Sequence, residues 1–244
     1  VIFHKTYIFA LCRYCMHRYL YYIAILLGMQ AVTAQTHEIG VFLGGSNPIS
    51  DVGRTHYVLP NKLAFGGLYK WNFHDKMALR LQVSTTNLTG KDKQSDVVGK
   101  VNRGFSFSNK IVEASLGAEY NFFKFNMHKP LDRPITPYLF TGISYIEHDD
   151  LYFESLLIRQ QEARKTSKIY STWALPVVLG VKAKMGIYFV VAVEVGTRFT
   201  FTNNLDGSTP KYGASFGNVA TKDYYTFSGV TLTYTFGRKP CYCN

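Results

Sequence analysis

Residues 109–123, Asn-Lys-Ile-Val-Glu-Ala-Ser-Leu-Gly-Ala-Glu-Tyr-Asn-Phe-Phe, change character at every step. Val112, Ala114, Leu116, Ala118, Tyr120 and Phe122 fall on one side of a period of two, and Glu113, Ser115, Gly117, Glu119 and Asn121 fall on the other. Successive side chains of an extended chain point to opposite faces, so this is a strand with one apolar face and one face of small and acidic residues. The same alternation recurs where Met77, Leu79, Leu81 and Val83 enclose Ala78, Arg80 and Gln82, and where Val191, Val193 and Val195 oppose Ala192, Glu194 and Gly196. Near the C-terminus Val230, Leu232, Tyr234 and Phe236 oppose Gly229, Thr231, Thr233 and Thr235, and helical spacing is absent throughout.

Eight such segments follow along the chain: 37–45, 63–72, 76–86, 109–123, 137–147, 170–182, 187–200 and 225–237. Most match the roughly 9–11 residues that a tilted membrane-crossing strand needs. The second, fourth and sixth connections, near 73–75, 124–136 and 183–186, are short or moderate, whereas the other three and the one before strand eight are long and polar. Alternating short turns and long loops predict an all-β fold, an eight-stranded antiparallel up-and-down transmembrane β-barrel. Pro176 inside the sixth segment is expected at a bulge, because proline cannot donate to a ladder.

Alternation leaves open which face is inside, and a lipocalin-like soluble barrel is the rival. A soluble barrel would show water many Lys, Glu and Asp; here the face opposite the apolar one is mainly Gly, Ala, Ser and Thr. The apolar face, including Val112, Leu116, Val191, Val193, Val230 and Leu232, is therefore assigned to lipid. The other face carries Glu38, Glu113, Glu119 and Glu194 against Lys70, Arg80, Lys182 and Arg198, equal numbers of each sign that can pair in a lumen poorly reached by water. At eight strands an interior is just wide enough for side chains, so such a lumen is plugged and carries no solute.

Composition agrees: 47% apolar, 16% aromatic and 18% charged residues over 244 positions exclude a disordered chain. No apolar run approaches the roughly 18 residues of a spanning helix. The longest, Tyr-Leu-Tyr-Tyr-Ile-Ala-Ile-Leu-Leu-Gly at 19–28, follows His17 and Arg18 and precedes Val32-Thr33-Ala34. This is the order of a secretory signal, with cleavage expected after Ala34. Residues 1–15, before Met16, read as an upstream extension or a long n-region, so the expected organisation is 1–34 removed, 35–237 barrel and 238–244 periplasmic tail. Removal takes Lys5, Arg13 and Arg18 and no acid from the 27 basic and 16 acidic residues, and leaves the mature protein strongly basic.

If the lumen is neutral, that excess lies in connections and tail. The third connection, 87–110, holds Lys91, Lys93, Lys100, Arg103 and Lys110 against Asp92 and Asp96. The periplasmic side is expected to present Lys124, Lys129, Arg133, Lys184, Arg238 and Lys239, a basic face suited to a protein partner or lipid phosphates. Cys241 and Cys243 in the tail are too close for an unstrained mutual bond, which leaves an intermolecular disulfide, a labile internal one or a frayed end. The motif reading finds no G-x-S-x-G, no H-E-x-x-H, no P-loop and no phosphate-binding Gly fingerprint, so no enzyme, cofactor, metal, nucleic acid or small-molecule substrate is expected. His56, His148, Ser46 and Ser50, at the outer rim, are the sole candidates for lipid-modifying chemistry.

The stretch 36–47, Thr-His-Glu-Ile-Gly-Val-Phe-Leu-Gly-Gly-Ser-Asn, with Asp51-Val52-Gly53 after it, resembles the start of the PorG family, the outer-membrane barrel of the type IX (Por) secretion system of Bacteroidota. Gly66-Gly67-Leu68-Tyr69-Lys70-Trp71-Asn72, Arg103-Gly104-Phe105, Asn109-Lys110, Glu119-Tyr120-Asn121-Phe122-Phe123 and Thr136-Pro137-Tyr138 are similar to family segments in the same order. The resemblance implies a non-enzymatic part of a secretion machine in a Gram-negative outer membrane. It further implies docking onto a periplasmic ring built by a lipoprotein and its partner subunit. The competing expectation is a free-standing structural or adhesive barrel that acts through its outer loops.

Overall fold

The computed structural model describes residues 36–126, 134–210, 214–217 and 222–237. Eight antiparallel strands close into one hydrogen-bonded ring in sequence order: β1 (Thr36–Ile49), β2 (Lys62–His74), β3 (Met77–Lys91), β4 (Ser106–Asn121), β5 (Ile135–Tyr152), β6 (Arg164–Met185), β7 (Phe189–Thr200) and β8 (Tyr224–Gly237). The seam pairs β1 with β8 over its full length, from Thr36 opposite Gly237 to Ile49 opposite Tyr224, so no sheet edge is exposed. Residues 75–76, 122–134 and 186–188 connect strands at the rim where β1 starts and β8 ends, here the lower rim. Residues 50–61, 92–105, 153–163 and 201–223 connect them at the upper rim.

Period two in the sequence becomes period two in burial. Along β3 the outward Leu79, Leu81 and Val83 are 40–49% exposed, while the intervening Ala78, Arg80 and Gln82 are at most 1% exposed. Val112, Leu116, Val193, Val230 and Leu232 likewise face outward, and Val191 does so at intermediate exposure. Aromatic residues border this apolar wall: Trp71 with Phe73, Tyr120 with Phe122 and Phe189 with Tyr234 near the lower rim, Tyr145 with Trp173 and Phe199 with Tyr224 above. A closed ring with charges inside and an apolar band between two aromatic girdles outside is a small transmembrane barrel of the outer-membrane type, since hydrocarbon is the solvent that such a band suits. The soluble rival is excluded by the same inversion.

Three expectations need correction. Strands β3, β5 and β6 run past the sequence-based limits at 86, 147 and 170, to Lys91, Tyr152 and Arg164. Above the bilayer no apolar outer face is needed, so the hydropathy pattern stops while backbone pairing continues. Pro176 makes no bulge: Thr141–Val177 and Ser144–Ala174 keep one register across it, and Pro176 stays opposite Arg198 on β7. The shift between β5 and β6 lies higher, between Asp149 and Leu151. The lumen is also not uniformly small and polar. Its upper part is a core of Phe42, Leu88, Phe105, Phe107, Ile111, Ile146, Phe153 and Phe227, with Val52 and Leu205 contributed by the loops.

Candidate functional site

The lower lumen is filled by ionised side chains from opposite walls. Glu119 of β4 lies 2.7 Å from Lys70 Nζ of β2, 2.6 Å from Lys182 Nζ of β6 and 3.7 Å from Arg80 of β3, and every one of these side chains is at most 1% exposed. Arg80 also donates two bonds of 2.8 Å each to Glu194 of β7, the bidentate geometry that suits a planar guanidinium. Tyr138 donates to the same carboxylate at 2.5 Å. Its ring fits because position 180 is glycine; a Cβ there would come within 2.6 Å of the ring. Higher up, Arg198 reaches Glu113 at 3.3 Å, and Tyr225 and Ser144 donate to that carboxylate at 2.7 and 3.0 Å. Glu38 stands apart: Asn72 and Thr233 donate to it at 2.8 and 2.6 Å. Lys184, assigned from sequence to the periplasmic surface, is buried as an inward residue of β6 and adds a further cation to the lumen.

The upper end is closed by the loops. Asp92 is buried and accepts from the backbone of Gly53 and Phe105 at 2.8 and 3.0 Å and from Arg103 Nε at 2.8 Å. Arg103 ends the short helix α1 (Val98–Arg103), which stops at Gly104 in the left-handed conformation. Its guanidinium lies over the rings of Phe105 and Phe216, at 4.9 and 4.6 Å, and Phe105 stacks on Phe153 at 4.6 Å. Lys100 donates to the carbonyls of Ser50 and Gly53, while Asp206 accepts from Val52 and Asp223 from Leu205. Burial pushes the carboxyl of Asp206 above its ordinary range, with Asp51 adding to the rise. Burial pushes Asp223 well above it, with help from Asp206 and Asp51, and burial also lowers the Lys100 ammonium. The third connection is therefore not a free basic loop: Lys91 and Lys110 belong to strands, and Asp92 and Arg103 hold the cap together.

The four rim candidates are not brought into one constellation. Ser46 bonds Thr86 at 2.6 Å, Ser50 donates to Val52 O, His148 is buried against its neighbour's carbonyl, and His56 meets Asp96 at 3.8 Å in solvent. Gly213-Ala214-Ser215-Phe216-Gly217 spells G-x-S-x-G, a match that the motif reading missed. A nucleophile elbow needs a strand before it and a helix after it. Here the described part of the string is irregular loop, Ser215 is exposed and Phe216 packs on Phe105 and Phe153. Among the described residues no group of three His, Cys, Asp or Glu is arranged to hold a metal. Of the basic docking candidates, Lys124 is exposed just beyond β4 at the lower rim. Lys129, Arg133, Arg238, Lys239, Cys241 and Cys243 lie outside the described residues.

The profile of a family described as a domain of unknown function (DUF6089) matches residues 17–244. The chain belongs to the DUF6089 family. No curated protein matches its sequence. Among solved structures this DUF6089 barrel is similar to the N-terminal β-barrel domain of Pseudomonas aeruginosa OprF, at 12% identity and a TM-score of 0.45, over 84% of this chain and 98% of that one. It is also similar to Ail of Yersinia pestis in complex with the heparin analogue sucrose octasulfate, at 12% identity and a TM-score of 0.45 over 84% and 100% of the chains. Neisserial surface protein A matches at 10% identity and a TM-score of 0.46 over 84% and 98%.

Proposed function

We propose that this DUF6089 chain is a non-enzymatic component of the type IX secretion machinery, seated in the outer membrane of a Gram-negative bacterium and docking a periplasmic lipoprotein ring. In this reading residues 1–34 are removed as a signal, the lower rim faces the periplasm and residues 238–244 extend into it. The observation that carries the reading is the lumen, sealed below by the Glu119 and Glu194 ion pairs and above by the aromatic cap. A barrel sealed at both levels transports nothing itself, which favours an anchoring role, and the ordered PorG-like segments supply the partner. The basic lower-rim set around Lys124 is the proposed docking face, with the tail and its two thiols beside it.

A second reading has its own support. Among the described residues the upper loops expose Val98 and Leu157 to solvent at 72% and 93%, as a free-standing adhesive barrel would. Affinity purification of the tagged protein from detergent-solubilised outer membranes separates the two. Recovery of a stoichiometric lipoprotein ring supports the first, and recovery of the barrel alone under conditions that keep the ring intact refutes it in favour of the second.

A further inference from the structure

Every outward position of β2 from Leu63 to Phe73 carries a large side chain except Gly67. A Cβ built at Gly67 meets nothing within 4 Å, so the close packing that forces glycine elsewhere in the barrel does not operate here. The neighbouring strands do not fill the gap. Gly67 pairs with Val83 and Val83 with Ala114; one level up, Phe65 pairs with Thr85 and Thr85 with Val112. The result is an open groove on the membrane-facing wall, bounded by Leu63 and Phe65, that rises to Asn87 and Lys110.

The upper end of the groove is cationic. Lys110 faces outward beside Asn87, is exposed, and forms no ion pair among the described residues. Ala114, the outward residue of β4 below Val112, pairs with Tyr145 of the upper girdle, and Lys110 lies four residues higher, about 13 Å along the strand. That places an ammonium at headgroup depth directly above an apolar channel in the leaflet on the long-loop side. Across β4 from the groove, the acidic neighbours on β5 are Asp149, one step beyond the His148 that pairs with Ile111 and itself held by Lys165 at 2.6 Å, and Glu147, opposite Val112.

We propose that this groove is a specific lipid site, holding one acyl chain of a phosphorylated glycolipid of the outer leaflet with its phosphate on Lys110. The chemistry is complementary at both ends: a methylene chain against Gly67, Val83 and Thr85, and an anion against an unpaired lysine. The site goes beyond the secretion role and does not depend on it.

The test is native mass spectrometry of the purified full barrel in detergent, offered equal amounts of bisphosphorylated lipid A, its dephosphorylated form and phosphatidylglycerol. Retention should favour bisphosphorylated lipid A. Lys110→Gln should reduce that preference about fivefold, the worth of one basic side chain near an anionic surface. Gly67→Leu, which fills the groove, should reduce retention of both lipid A forms, and Glu147→Gln should raise that of the phosphorylated one. Heat-modifiable gel migration reports whether each variant is folded, and Lys110→Gln with Glu147→Gln decides the matter should Gly67→Leu fail to fold. Equal retention by the wild type and Lys110→Gln, or a Lys110 dependence as large for phosphatidylglycerol as for lipid A, would overturn the proposal.

Discussion

Replacing Glu119 by Gln removes one negative charge that lies within 4 Å of three cations, Lys70, Lys182 and Arg80, in a lumen closed to solvent. Arg80 keeps Glu194 as a bidentate partner, so the cost falls mainly on the two ammonium groups, which are left buried with no carboxylate within 4 Å among the described residues. Stripping one partner from a buried pair costs about 3–5 kcal/mol, because the remaining ion keeps its desolvation penalty and loses the attraction that offset it. Glu119→Gln should therefore unfold earlier in urea by that amount, measured by reversible titration of the barrel in lipid vesicles. Adding Lys182→Gln removes one of the stranded cations and should return at least ~1 kcal/mol, a coupling within the range of contacting residues. In planar bilayers the wild type should show no conductance steps, whereas Glu119→Gln should show intermittent ones as water enters to solvate the stranded ammonium groups. A single mutant within about 0.5 kcal/mol of the wild type, a loss expected of an unremarkable surface change, would refute the ion-pair account of the lumen. So would strict additivity in the double mutant.

Arginine at Val193 should cost roughly 2–4 kcal/mol at the bilayer midplane, and spin labels at positions 193 and 194 should show lipid accessibility at the first alone; equal accessibility would reject the facing. Burial raises the folded-state values of Asp206 and Asp223 above their ordinary ones, so their contribution to cap stability is fully present below about pH 4 and is lost as pH rises through the elevated values. Protease nicking of the loop 201–223 should then be slower at about pH 5 than at about pH 8, and Asp223→Asn should flatten that difference; an unchanged ratio in the variant would rule it out. Reversing Lys129, Arg133, Arg238 and Lys239 to acidic residues should reduce ring recovery with the barrel still assembled, and Cys241→Ser with Cys243→Ser should abolish any reducible high-mass species on non-reducing gels. Normal ring recovery after both the reversal and deletion of the tail would place docking on another surface.

The fold was legible because the bilayer imposes a binary rule on each crossing strand. Val112 and Glu113 differ as sharply in sequence as they do in burial, and the eight segments and their short and long connections follow from that contrast. The pairing within the lumen was less legible. Alternation places Glu119 and Arg80 inside, but their partners are set by ring closure and side-chain height, which no local pattern encodes. Lys184 was misplaced because a lysine near a turn reads as surface, yet its parity with Lys182 already pointed it inward. The cap was illegible for another reason. Asp92, Asp206 and Asp223 look like ordinary loop polars, and only backbone N–H groups from another loop, or for Asp223 from the far end of its own, turn them into structural anchors. The Arg103-Gly104-Phe105 tripeptide was the available signal, since it supplies an anchor, a helix stop and a ring in succession.

The seam between β1 and β8 sets how the molecule can be made. It joins the first described strand to the last, so its contacts are far apart in sequence and none can form until β8 has been made. Arg80 finds Glu194 only when β3 and β7 face each other across the bore, an arrangement that likewise waits on a nearly complete ring. A partly assembled sheet sliding into the membrane would carry Lys70, Arg80, Glu119 and Lys182 on a face open to hydrocarbon. Curling of the sheet as it enters the bilayer would instead let the walls meet and the internal charges shield one another before lipid reaches them. Substitutions in the lumen should accordingly slow insertion more than they hasten escape of the finished barrel.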